Sequence, residues 1–464
     1  MRHRLPARLL GALLVAGLPA GARAQRAEPA LSLAEGLRLA ARHQVGDIES
    51  RRFTYDDFWK AVRSVTGSGA LRVEEIGRSL QGRQIRAVRF GEGPTRVLLW
   101  SQMHGNESTA TMALADIFRF LADRSPDALR DRLRRELTIV FVPMLNPDGA
   151  EVFRRENAVG IDVNRDARAL ATPEGRALKS LRDRLRPDFG FNLHDQNART
   201  RAGTDGPPAA IALLAPAYDE EKRYNEVRTR ARLVAAGLAA ALESELAGRI
   251  ARYDDTYNPR AFGDLMQSWG TSTVLIESGV LPNDPEKQRL RALNVAAILG
   301  ALDVIASRTW SRADPGRYEN LPRNAPGAVD LLVRGGRLVL PGRPPAVVQA
   351  DLALTWDDPV ARTGSRLRDV GDLEGVVALD TIDVSGLFLH PDRESLSRSK
   401  GRAWLLIGSP VQLTVRREAA DRSPVVRRIG ERGEPESDAA ESGLAFTGVT
   451  VLDPGAGTRR PVAR

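Results

Sequence analysis

The six residues Leu137-Thr138-Ile139-Val140-Phe141-Val142 are nearly continuous in apolar character. A run so short and so lacking in a polar face reads as a strand covered on both sides. Comparable runs recur at Val97 to Trp100, Phe189 to Leu193, Ile211 to Leu214 and Thr273 to Ile276, with helical patterns between them. The stretch from about Ser108 to Ala122 places Met112, Ile117, Phe118 and Leu121 at helical spacings. Long helices are expected at about 219 to 247 and 285 to 307, the last capped by Asp284. Strands alternating with helices in this way specify an α/β sheet.

The chain of 464 residues is longer than one hydrophobic core usually supports, so two domains are expected. The first 24 residues carry Arg2, Arg4 and Arg8, an apolar run from Leu9 to Leu18, and small residues ending at Ala24. That order reads as a signal peptide cleaved near Ala24, which makes the expected location periplasmic or secreted. The apolar run is too short to span a bilayer and no later segment comes closer, so no membrane span is expected. With no cysteine anywhere, a lipoprotein-type anchor, a disulfide and a thiolate zinc site are excluded. The formal charge of +9 includes four signal-peptide arginines, leaving 9 − 4 = +5, and the basic stretches are interleaved with acids or lie on helices. Solvated helix faces account for them, and no nucleic-acid partner is expected.

Residues 25 to 52 read as a short helix and linker, 53 to 315 as the α/β domain. After about 315, prolines at 322, 326, 341, 344 and 345 stand among β-rich runs such as Leu331 to Leu340, Val347 to Thr355 and Trp404 to Val415. A second, β-rich and sandwich-like domain is expected over about 325 to 425, followed by a partly disordered tail from 426 to 464.

His104-Gly105-Asn106-Glu107 follows one predicted strand and precedes a helix, and His194 ends another. The carboxyl ends of parallel strands are where α/β proteins build ligand sites. Two imidazoles and a carboxylate form a donor set that suits a catalytic zinc with one position left open. His43 and His390 have no such setting. Glu277 ends an apolar strand, where a carboxylate is costly unless something compensates it.

The order of these motifs resembles the zinc carboxypeptidase family. The resemblance covers about residues 53 to 310 and rests on Arg78-Ser79-Leu80-Gln81-Gly82-Arg83, His104-Gly105-Asn106-Glu107, Asn146-Pro147-Asp148-Gly149, Gly160-Ile161-Asp162-Val163-Asn164-Arg165, Leu193-His194-Asp195 and Leu275-Ile276-Glu277-Ser278-Gly279. It implies a three-layer α/β/α domain with a mixed, mostly parallel sheet, and one zinc ion held by His104, Glu107 and His194. Asp162 is then the carboxylate that hydrogen-bonds the first ligand histidine. Asn164 and Arg165 match the pair that binds a peptide's terminal carboxylate. The family often has a second Asn where Asp166 stands, which bears on pocket polarity. Glu277 matches the catalytic carboxylate and Arg155 the arginine that polarises the scissile carbonyl, with Arg154 as the alternative. The mobile tyrosine is Tyr257 by spacing, or Tyr253. Specificity residues are expected near Arg260 to Asp264, where Arg260 suits an acidic side chain.

The implied activity is zinc-dependent removal of C-terminal amino acids from peptides. A peptidoglycan cross-bridge peptidase, a deacylase of N-acyl amino acids, and a module that only captures peptide ends are the alternatives. The β-rich domain carries no cluster with ligand spacing and reads as structural or substrate-positioning.

Overall fold

The computed structural model describes residues 31–430 except 328, 343, 400, 401, 421 and 422. The expected signal peptide and nearly all of the expected tail lie outside the described residues. Among the described residues, no helix is long and apolar enough to cross a membrane.

Among the described residues, nine strands precede residue 280: β1 (Arg72–Arg78), β2 (Gln84–Phe90), β3 (Thr95–Ser101), β4 (Leu137–Val142), β5 (Phe189–Asp195), β6 (Arg201–Ala202), β7 (Ile211–Leu214), β8 (Ile250–Arg252) and β9 (Ser272–Ser278). Eight of them form one sheet in the order β1-β2-β4-β3-β5-β9-β7-β8. The β3–β4, β3–β5, β5–β9 and β7–β8 pairings are parallel and the other three antiparallel, so the sheet is mixed.

Alternate residues of each strand enter different cores, as the two-residue period requires. Val97 and Leu99 face a core built with α1 (Leu33–His43), α2 (Tyr55–Ala61), α4 (Thr109–Ala122), α5 (Ala128–Glu136), α8 (Glu226–Leu246) and α10 (Gln288–Ala306). Leu98 and Trp100 face the opposite core with α7 (Pro173–Leu185) and α9 (Phe262–Ser268). Short turns α3 (Arg63–Thr66), α6 (Pro147–Glu151) and α11 (Gly316–Glu319) complete the helices. The result is the expected three-layer α/β/α domain.

Several boundaries differ from the sequence reading. The helix expected from 219 starts at Glu226, because Asn225 caps it by accepting from the Arg228 amide at 2.9 Å. Asp284 accepts from the Arg289 and Leu290 amides at 3.1 and 3.0 Å, although α10 itself begins only at Gln288. The 25–52 segment is no mere linker: Ala40, Val45 and Ile48 are buried in the first core, and the buried Arg291 donates to the carbonyls of Val45 and Ile48.

The β-rich region contains β10 (Asn324–Ala325), which pairs with β6, and β11 (Val329–Leu340), β12 (Ala346–Asp358), β13 (Thr363–Gly371), β14 (Ala378–Asp383), β15 (Phe388–Pro391), β16 (Ser397–Ser399), β17 (Arg402–Trp404), β18 (Leu413–Arg416) and β19 (Val425–Ile429). It is one sheet in the order β13-β12-β11-β15-β18-β19, with β14 also beside β11; β16 and β17 form a separate hairpin. Backbone bonds from Leu367 to Ser409 and from Val411 to Ser365 bring the β13 edge round to the segment before β18. The sheet thereby curls around a core that includes Leu331, Leu352, Leu367, Leu389 and Val415, where the sequence suggested a sandwich. The run expected from Trp404 to Val415 is broken by a turn at Ile407-Gly408, with Gly408 at φ 84°. Residues 425–429, four of them assigned in sequence to the tail, are a strand of this sheet.

Candidate active site

β3, β5 and β9 are neighbouring parallel strands, and the chain leaves β3 towards β4 on one side and later enters β5 on the other. Such a reversal opens a crevice beyond the carboxyl ends of the strands. His104 and Glu107 lie in the loop after β3, His194 ends β5, and Glu277 lies in β9 as the register partner of His194. All four side chains are buried.

One ligand atom from each of His104, Glu107 and His194 falls within 4.8 Å of the others. His104 Nε2 lies 2.9 Å from Asp162 Oδ1. An ionised carboxylate only accepts, so Nε2 carries the proton and Nδ1 keeps its lone pair. That Nδ1 faces Glu107 Oε1 at 2.8 Å and His194 Nδ1 at 3.1 Å, while His194 Nδ1 faces Glu107 Oε2 at 2.7 Å. A single proton cannot satisfy lone pairs converging from three side chains. A cation at their common centre does, and two imidazoles with one carboxylate fit zinc. The residues present therefore fit the ion.

Charge follows the same layout. Burial opposes charge on Glu107, but the flanking imidazoles outweigh it and hold the carboxyl well below its usual range. Burial likewise disfavours protonated His104, yet Glu107 and the Asp162 hydrogen bond raise it to about 9, so a proton competes for the place a metal takes. His194 is lowered, chiefly by burial. Glu277 is pushed well above the usual carboxylate range by burial and then by the Glu107 charge. Among the described residues its carboxylate has no hydrogen-bond donor, whereas Glu107, Asp162 and Asp195 each have at least one.

Arg155 reaches into this cluster, donating to Glu107 Oε1 at 3.0 Å and to Asp162 Oδ2 from Nε and Nη2 at 3.2 and 3.0 Å. Arg154 is exposed and has no described side-chain partner. The Asn164 amide oxygen accepts from Phe262 N at 2.9 Å, which leaves its NH2 as the free donor end. Arg165 donates to Asn164 O at 2.8 Å, and no carboxylate among the described residues forms an ion pair with it. Asp166 points away: it accepts from Ala171 N and from both Thr172 N and Oγ1, tying down the turn that starts α7. Its departure from the expected Asn thus serves the scaffold.

Tyr253 is the tyrosine within the field of the site. Its phenol is raised to about 12, first by the Glu277 charge and then by burial. No described contact ties Tyr257 to the cluster. Arg260 is exposed, with Nε 3.3 Å from Arg165 O. The segment 78–83 packs on the Asn146-Pro147-Asp148-Gly149 motif, where Ser79 Oγ and Gln81 N donate to Asp148 at 2.8 and 2.9 Å.

Sequence reasoning missed Asp195 and Lys287. Asp195 N donates to Glu107 Oε2 at 3.1 Å, and its carboxylate accepts from Lys287 Nζ at 2.9 Å and Thr109 Oγ1 at 2.6 Å. Asp195 adjoins His194, which was a usable signal; Lys287 lies 92 residues on, and nothing local marks it.

Residues 58–201 match the family described as zinc carboxypeptidase, a span that includes His104, Glu107, Asp162, Asn164, Arg165 and His194 but not Glu277. Human carboxypeptidase N catalytic chain is 29% identical over 151 residues, 28% of this chain and 33% of that protein. A probable carboxypeptidase 2 of Arthroderma benhamiae is 32% identical over 131 residues, 28% of this chain and 24% of that protein. The crystal structure of a metallo-carboxypeptidase from Burkholderia cenocepacia aligns at 19% identity and a TM-score of 0.44, over 55% of this chain and 70% of that one. This chain spans 24% to 40% of the length of the first curated relatives that it matches. The segment of residues 58–201, which carries the His104, Glu107 and His194 cluster, is thus what this chain shares with the zinc carboxypeptidase family.

Proposed function

We propose that this chain is a zinc-dependent metallocarboxypeptidase that hydrolyses C-terminal amino acids from peptides. The observation that carries the reading is Glu277: a buried carboxylate without a donor among the described residues, side by side with His194 and outside the ligand set. Burying an unpaired carboxylate is costly, and such groups are kept where they handle protons.

His104, Glu107 and His194 would hold the zinc, which when bound supplies a Lewis acid for water and for the scissile carbonyl. Asp162 fixes the His104 ring so that Nδ1 faces Glu107 and His194, where it would hold the ion. Arg165, with the Asn164 NH2 beside it, takes the substrate's terminal carboxylate through parallel charge-assisted hydrogen bonds. That anchor sets the last peptide bond over the cluster. Glu277 accepts the proton of the attacking water and returns it to the leaving amine; its raised affinity for protons suits both halves of the task. Arg155 swings from Glu107 and Asp162 towards the carbonyl oxygen as negative charge develops there.

A set of peptides differing only in a free or amidated C-terminus tests the reading. Release of the last residue is expected from the free form alone, and is expected to stop with a zinc chelator. Equal release from both forms, or none from any free peptide by zinc-loaded protein, would reject it.

A further inference from the structure

The end of the β11–β12 ladder that meets the α/β domain presents two carboxylates to it. Asp330, buried, receives a fork from Arg199: Nε is 3.0 and 2.9 Å from its two oxygens and Nη2 is 2.7 Å from Oδ2. The same Nη2 donates to Trp356 O at 2.7 Å. Arg199 lies five residues after His194. Between them, Gln196 N donates to Ser278 O, next to Glu277, at 3.0 Å, and the Gln196 side chain accepts from Asn324 Nδ2 at 2.8 Å.

Asp358, at the end of β12, accepts from Arg51 and, at 2.6 Å, from Arg52. The Arg51 carbonyl in turn accepts from Ser108 Oγ at 2.6 Å, one residue past Glu107. Both guanidiniums lie over the Phe153 ring, 5.4 and 4.7 Å from its centroid. Phe153, two residues before Arg155, has φ 50°. A bulky residue rarely adopts that left-handed conformation unless its surroundings impose it, and two cations over one ring supply such a constraint.

Each of these ties ends within a few residues of a different site group: His194 and Glu277 through Arg199, Glu107 and Arg155 through Arg51 and Arg52. The neighbouring pair Asp357–Arg366 is exposed and stays within the β-rich sheet. We propose that Asp330 and Asp358 are positioning residues of the active site, and that the β-rich domain is a clamp that sets the loop after His194 and the loop carrying Arg155. The kinetic part of this proposal rests on the carboxypeptidase reading; the metal part does not.

Full-length Asp330→Asn, Asp358→Asn and, as control, Asp357→Asn test it. Competition with a chromogenic chelator is expected to show zinc held about tenfold more weakly by Asp330→Asn. In Asp358→Asn, kcat for peptide release is expected to fall about tenfold with KM within about twofold, since a slightly misplaced Arg155 costs transition-state stabilisation and little binding. Asp357→Asn is expected to match the parent in both. Should an aspartate variant not fold, Arg199→Lys replaces Asp330→Asn and Arg52→Met, at an exposed residue, replaces Asp358→Asn. Variants indistinguishable from Asp357→Asn in zinc affinity and in kcat overturn the proposal. If the parent releases nothing from peptides, the function reading fails and zinc affinity alone decides the clamp.

Discussion

Among the described residues Arg165 has no acid to pair with, and in the proposed exopeptidase reading its guanidinium takes the substrate's terminal carboxylate instead. Arg165→Lys keeps the charge but loses the planar fork. Losing one charge-assisted hydrogen bond costs about 2 kcal/mol, so kcat/KM for free-ended peptides is expected to fall about 30-fold. A steady-state assay with the carboxyl end as the only variable checks it. Asp264, in the first turn of α9, is pushed up to about 7 by burial from an ordinary value of 3.8. Between those values the folded protein holds a proton that the unfolded chain has released, so this group's contribution makes stability fall as pH rises from about 4 to about 7. Asp264→Asn removes that dependence. Melting curves of variant and parent are expected to show the variant's relative stability higher at pH 8 than at pH 5; no change in their difference would contradict the assignment. At this scale the sequence was most informative where chemistry is local. His104 and Glu107 three residues apart were legible as a pair, whereas Asn164 and Arg165 were singled out only by the family resemblance. Which of Tyr253 and Tyr257 stands nearer Glu277 was not legible, because both lie in one segment and only the path of β8 and the loop after it places the Tyr253 phenol in the field of Glu277.

The elements that carry the site depend on close backbone approach at the turn between His104 and Glu107. A Cβ placed on Gly105 would sit 2.0 Å from the Gly149 carbonyl carbon and 2.2 Å from Ala150 N. Backbone has nowhere to give there, so the loop after β3 can lie on α6 only if residue 105 is glycine. Gly105→Ala is expected to push the loop outward and separate His104 from Glu107, with zinc lost from the purified protein although its far-ultraviolet dichroism stays close to the parent's. Metal analysis after dialysis checks it, and full retention of zinc would contradict it. Strands were read best where both faces are buried: Leu137–Val142 has six buried residues and its limits matched the sequence reading. Edges were read worst. The 405–412 segment looked like strand because its apolar residues continue those of its neighbours, but Gly408 at positive φ turns the chain.

Across the whole molecule, the α/β layering and the place of the site were legible because apolar periodicity and strand ends are short-range properties of the chain. The junction between the two domains was not. Arg199 with Asp330 and Arg51 with Asp358 join residues 131 and 307 positions apart, and in sequence each is an ordinary loop charge. The same holds for Lys287, whose pairing with Asp195 appears only once α10 is laid against the carboxyl ends of the strands. The first helix, expected as a short helix outside the α/β domain, turned out to be part of its core because its partner α10 comes some 250 residues later in the chain. The central claim is that three side chains hold zinc while a fourth, Glu277, handles the proton. Zinc content and peptide turnover measured on one preparation of Glu277→Gln test it most directly. The account predicts one zinc per chain, as in the parent, with turnover reduced at least about 100-fold; turnover within a few-fold of the parent at full zinc content would contradict it.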